Sequence, residues 1–179
     1  MQVHIPFVAL ACLVGFIILF TKGLPRPFSL LPFYLLLTLA IEIIGWRLGA
    51  QGKNNTIYYN FFSIFSVIFY SYFIYKLLRT RAIKIIIFAA AVIWPLIALI
   101  NLIFIQGLHQ FNTMTYAISS LLIIIFCVCF FFELFKRPEA LSLKTNPGFW
   151  IVTGLLFFNA CTLPLLGLAN YIYQFSPVL

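Results

Sequence analysis

Few residues in this chain could do chemistry. It has three acids and two histidines, and only one acid, Glu42, falls inside an apolar run, in Ile41-Glu42-Ile43-Ile44-Gly45-Trp46-Arg47. An ionisable side chain at the centre of a membrane helix costs about 2.5–3.5 kcal/mol on insertion scales, so it needs a partner or a task. Glu42 could hold a ligand, a cation or a proton. Its alternative is a pair with Arg47, five residues on, although that spacing turns the two side chains about 140° apart on a helix.

Other polar residues fall at the same expected depth. Asn60 and Ser63 begin one apolar run, Asn101 ends another, Tyr116 and Ser119 begin a third, and Asn170 ends the last. Asn159 precedes Asn170 by 11 residues, about three helical turns, so the two share a face with Thr162 between them. One reading is a polar cavity open to the outer side, with Glu42, Asn60, Asn101, Tyr116, Asn159 and Asn170 as ligand-binding residues. The other is hydrogen bonding between helices, which Ser, Thr and Asn commonly provide in membranes. A carboxylate facing lipid is uncompensated, so Glu42 is expected to turn inward, with Asn60, Asn101 or Asn170 as neighbours. Pro95, after Trp94, and Pro164 are expected to kink their helices. Tyr58, Tyr59, Tyr171 and Tyr173 with Trp46 read as an interfacial aromatic belt.

No catalytic constellation accompanies these residues. The chain has no H-E-x-x-H, no G-x-S-x-G and no glycine-rich phosphate loop, and His4 and His109 both fall at expected water boundaries. The expectation is a protein that is not an enzyme, with no cofactor and no metal. Cys12, Cys127, Cys129 and Cys161 all lie in apolar runs. They behave as small hydrophobes, without zinc spacing or a disulfide framework.

The elements that must position these groups follow from composition. The chain is 64% hydrophobic and only 8% charged, against about 25% charged for a soluble domain. A water-soluble fold, a disordered tail and a secreted disulfide scaffold are all excluded. Six apolar stretches, 5–21, 28–46, 57–75, 85–105, 113–132 and 149–173, stand between charged or Gly/Pro-rich breaks. Each approaches the roughly 20 residues that cross about 30 Å of hydrocarbon. The predicted fold is all-α: one membrane domain over 1–179, a bundle of six transmembrane helices arranged as hairpins. The longest connection, 133–148, leaves no room for a separate soluble domain.

Nine of the eleven Lys and Arg lie in the first, third and fifth connections, and only Arg47 and Lys53 on the opposite side. Cytoplasmic loops carry that excess, so both termini are expected outside a cell membrane, read as a bacterial inner membrane. The formal net charge of +8 then suits contact with anionic lipid rather than nucleic acid, because the bases are spread over three turns.

Residues 95–104, PLIALINLIF, align with residues 164–173, PLLGLANYIY, with five of ten positions identical, and residues 73–79 match 130–136. Both pairs run in the same direction, which predicts a parallel repeat of spans three–four and five–six, a common way to build transporters. In its six spans and its size the chain resembles the substrate-binding subunits of energy-coupling-factor vitamin transporters, although those have both termini inside. At fold level it also resembles the sensing portion of multi-span bacterial receptors. The functional expectation is a ligand-binding or sensing module acting with a partner membrane or signalling protein, or as a homo-oligomer. The alternatives are a structural or pore-forming subunit and a small transporter component.

Overall fold

Six apolar runs become six long helices in the computed structural model, which describes residues 4–108, 110–136 and 143–175, with side chains as far as 165 except at 22 and 106. Helix α1 spans His4–Lys22. After one 3₁₀ turn, Phe28–Leu30, come α2 (Leu31–Ala50), α3 (Thr56–Leu77) and α4 (Arg81–Ile100), which continues as a π-helical turn, Asn101–Gln106. Helices α5 (Thr113–Phe135) and α6 (Pro147–Phe175) complete the chain, and no strand occurs among the described residues. Six stretches of 18 to 25 residues are long and apolar enough to cross a membrane.

The helices outrun the apolar stretches that announced them. Helix α2 ends at Ala50 rather than 46, α4 begins at Arg81 rather than 85, and α5 ends at Phe135 rather than 132. Backbone hydrogen bonding continues where hydropathy falls, and long Lys and Arg side chains can carry their charge away from an apolar stem. The link between α3 and α4 therefore shrinks to residues 78–80, with Arg81 and Lys84 already on α4. Glycine ends α2 sharply. Gly52 takes φ +68°, and the amides of Gly52 and Lys53 donate to the carbonyls of Gly49 and Leu48 at 3.0 and 2.9 Å, a Schellman closure that satisfies the last carbonyls.

The chain divides into two compact units: Met1–Phe62 with Gln106–Phe111, and Ser63–Ile105 with Asn112–Leu179. In the first, α1 packs antiparallel to α2. Gly15 sits against Pro32, so that a Cβ there would lie 3.2 Å from the proline ring, and Phe16 meets Phe33 edge-on at 5.4 Å. The start of α3 returns along α2, stacking Phe62 on Tyr34 at 6.0 Å.

The second unit is organised by α5. Its buried residues are Thr115, Ser119, Ser120, Ile123, Phe126, Cys127, Phe130, Glu133 and Leu134, spaced by threes and fours so that they form one helical face. Helix α6 packs along α5, with Phe149 edge-on to Phe131 at 5.9 Å. Helix α4 joins α5 through a hydrogen bond of 2.8 Å from Trp94 Nε1 to Ser119 Oγ. Other helix faces remain bare and apolar: Phe20, Ile86, Phe104 and Ile105 are all more than 60% exposed. Exposed apolar area on that scale marks a surface meant for something other than water.

The two Pro–Asn stretches, 95–101 and 164–170, differ locally. Pro95 is buried and precedes a π-helical turn beginning at Asn101, whereas Pro164 is exposed within a helix that stays α-helical through Asn170.

Candidate functional site

Glu42 lies in the first unit, and α1, α2 and α3 each bring one residue to the cluster. It sits on α2, three residues before Gly45. Tyr59, on the first turns of α3, donates its hydroxyl to Glu42 Oε2 at 3.2 Å. His4, at the start of α1, places Nε2 3.0 Å from the same oxygen. The carboxylate side chain is 19% exposed and the imidazole 53%. Among the described residues no donor reaches the other oxygen, Oε1.

The local sequence explains the approach. Gly45 is buried, and a Cβ built on it would overlap the Tyr59 hydroxyl and lie 2.8 Å from the ring carbon Cζ. The missing Cβ leaves the space that the phenol occupies against α2 on its way to Glu42. Asn55 fixes the same corner by donating to the Gly45 carbonyl at 2.9 Å.

This arrangement corrects the expected neighbours of Glu42 and agrees with the separation of about 140° that argues against an Arg47 pair. Glu42 is bonded by His4 and Tyr59 rather than by Asn60 or Asn101, because equal depth along different helices does not mean a shared direction. Arg47 makes no ion pair with it, as the 140° separation implies. Tyr59 belongs to the site and not merely to an interfacial belt. The glycine three residues after the acid was the sequence signal that could have pointed to a bulky neighbour.

The remaining candidates make separate contacts. Asn60 is buried and donates to the Gln110 carbonyl at 2.9 Å. Asn101 donates to Asn112 Oδ1 at 3.2 Å and to Thr115 Oγ1 at 3.0 Å. Asn112 in turn caps α5 by accepting from the Thr115 amide at 3.0 Å, the usual role of Asn at a helix start. Tyr116, half-buried on α5, follows that cap, its amide bonded to the Asn112 carbonyl. Asn159 is buried but donates to Leu155 on its own helix at 2.8 Å. The side chain of Asn170 lies outside the described residues, as does His109.

A second acid escaped the sequence reading. Hydropathy alone puts Glu133 in a connection, yet it lies on α5, only 8% exposed. Its two oxygens accept from the backbone amides of Arg79 and Thr80 at 2.6 and 2.9 Å. Thr80 is the N-cap of α4 and makes no side-chain cap of its own. The carboxylate binds the amides of the N-cap residue and the residue before it, at the positive end of the helix, where negative charge is favoured. Two helices separated by three residues, flanked by an acid on another span, were the available signal.

Among the described residues no group of three or more His, Cys, Asp or Glu side chains converges to hold a metal ion. The chain matches no protein-family model, and neither a curated protein nor a solved structure is significantly similar to it.

Proposed function

We propose that this chain is a non-enzymatic multi-pass protein of a cell membrane, a bacterial inner membrane in the first instance, that binds or senses a small cation, a proton included, at Glu42. The observation that carries this reading is the half-engaged carboxylate. Oε2 is held by His4 and Tyr59, while Oε1 is unbonded among the described residues and the side chain retains partial exposure. A carboxylate kept only for packing would be expected to have both oxygens satisfied. The Lys and Arg distribution supports both termini outside, which puts the cluster toward the outer face. The sequence match of residues 95–104 with 164–173 supports a duplicated hairpin behind the second unit. The module would act on a partner membrane protein or a second copy of itself.

A second reading, a structural or pore-forming subunit, draws on a different observation: Asn60, Asn101, Asn112 and Thr115 bond to backbone or to one another. One experiment separates the two. The protein is melted in nanodiscs against metal cations and protonated amines, alongside Glu42→Gln. Saturation at a hundred times Kd stabilises a folded protein by about 2.7 kcal/mol, so a bound cation should raise Tm by roughly 5–10 °C. The rise should vanish in Glu42→Gln. No response to any cation, or an equal response in the variant, would favour the structural reading.

A further inference from the structure

The second unit holds a groove between α3 and α4, of about 270 Å³, that the Glu42 reading leaves unused. Its walls are Ile68, Ile87, Ala91 and Val92, and Lys76 stands at the end nearest the 78–80 turn. Such walls repel water, and the volume falls just short of the roughly 300–1,000 Å³ of small-ligand pockets.

Two features of this groove ask for an occupant. Ser71 lies on its wall, fully buried, and its hydroxyl has no hydrogen-bond partner. At the basic end Lys76 lines the groove with Tyr75, and Lys76 and Lys84, the latter just beyond the lining, place their ammonium groups 5.9 and 4.7 Å from the centre of the Tyr75 ring. Among the described residues no carboxylate lies within ion-pair distance of either lysine. Two like charges gathered at one ring without an acid are stabilised by an anion, and the ring faces alone neutralise neither.

We propose that this groove is a binding site for an anionic glycerophospholipid, with one acyl chain between α3 and α4 and the phosphate between Lys76 and Lys84. The chemistry matches along the length of the groove. Ser71 precedes Lys76 by five residues, about 7.5 Å along the helix and about 140° around it, and the groove spans that turn, since both residues line it. A glycerophospholipid carries an ester carbonyl, joined to its phosphate through the glycerol, that can accept the Ser71 hydroxyl at that distance. The apolar walls beyond Ser71 take the chain. Both lysines belong to the basic set that the charge distribution assigns to the cytoplasmic side, where anionic lipid concentrates. The inference rests on the membrane-spanning reading and is independent of the Glu42 site.

The test is native mass spectrometry of the detergent-purified protein, titrated with phosphatidylglycerol and phosphatidylcholine of the same chains. Wild type should bind phosphatidylglycerol about tenfold more tightly, and the double variant Lys76→Gln/Lys84→Gln should lose that preference. Ala91→Phe, which fills the groove without touching charge, should weaken both lipids, and inorganic phosphate alone should not compete. Equal binding of the two lipids by wild type would overturn the site, as would a preference that survives the double variant. A dimer that Ala91→Phe dissociates would overturn it in favour of a second copy in the groove. Glu42→Gln should leave the lipid preference unchanged. Failure of the membrane-spanning reading itself would appear separately, as release of the protein from membranes by alkaline carbonate.

Discussion

Two glutamates on apolar helices of this chain have opposite surroundings. Glu133 is buried, and both its oxygens accept backbone amides that lead into α4. Glu42 keeps partial exposure, meets side chains only, and has one oxygen unbonded among the described residues. The chemical group is the same, but what it bonds to differs in mobility. Amides in a three-residue link between two helices have little room to move, so a carboxylate bound to them is part of the fold. A phenol and an imidazole can rotate away, so a carboxylate between them can exchange partners for a ligand. Burial of a charge is tolerable in the first case because every bond is made.

The largest effect should therefore come from Glu133. Glu133→Ala leaves two backbone donors without their acceptor beside a buried face, and hydrogen bonds to charged groups are worth about 1.5–3 kcal/mol each. A loss of about 3–5 kcal/mol is expected, seen as a Tm fall of roughly 10 °C or more in nanodiscs. Glu133→Gln retains one acceptor oxygen and should fall about half as far. If Glu133→Ala melts with wild type, the carboxylate is not holding α4 and the contrast with Glu42 disappears.

Gly45 sharpens the comparison from the other side. A methyl group there would overlap the Tyr59 hydroxyl and ring, so the Tyr59–Glu42 contact has to shift. Overpacking of this kind costs typically 1–3 kcal/mol. Gly49 is the internal control on the same helix, since a Cβ there meets nothing closer than 3.8 Å. Gly49→Ala should be neutral or slightly stabilising by helix propensity. Equal melting temperatures for Gly45→Ala and Gly49→Ala would show that Tyr59 does not depend on the glycine.

Much of this architecture was legible in the sequence, and the illegible part has a physical cause. Apolar runs announced all six helices because length and hydropathy decide what can cross a bilayer. The runs did not mark helix ends, since hydrogen bonding continues past the first charge. That error hid Glu133, which lies one residue beyond the stretch assigned to the fifth span. Glu42 was visible as a group too costly to be idle, but its partners were not. Depth can be read from residue number, whereas azimuth depends on how neighbouring helices rotate, and that is set by packing at places such as Gly15–Pro32 and Gly45–Tyr59. His4 escaped notice because it lies 38 residues from Glu42 and was read only as a water boundary.

The smallest effect belongs to Glu42 itself, and its smallness is the point. Glu42→Gln keeps the side-chain shape and an oxygen able to accept from Tyr59, and it removes the charge facing His4. Because the imidazole is more than half exposed, water already screens that pair, and such pairs contribute about 0–1 kcal/mol. The variant should therefore melt within roughly 3 °C of wild type in the absence of added cation. His4→Gln should behave alike, since it loosens only the exposed side of the cluster. A fall comparable to that of Glu133→Ala would mean that the Glu42 charge supports the fold. The two acids would then share one role, and the half-engaged carboxylate would no longer argue for a ligand.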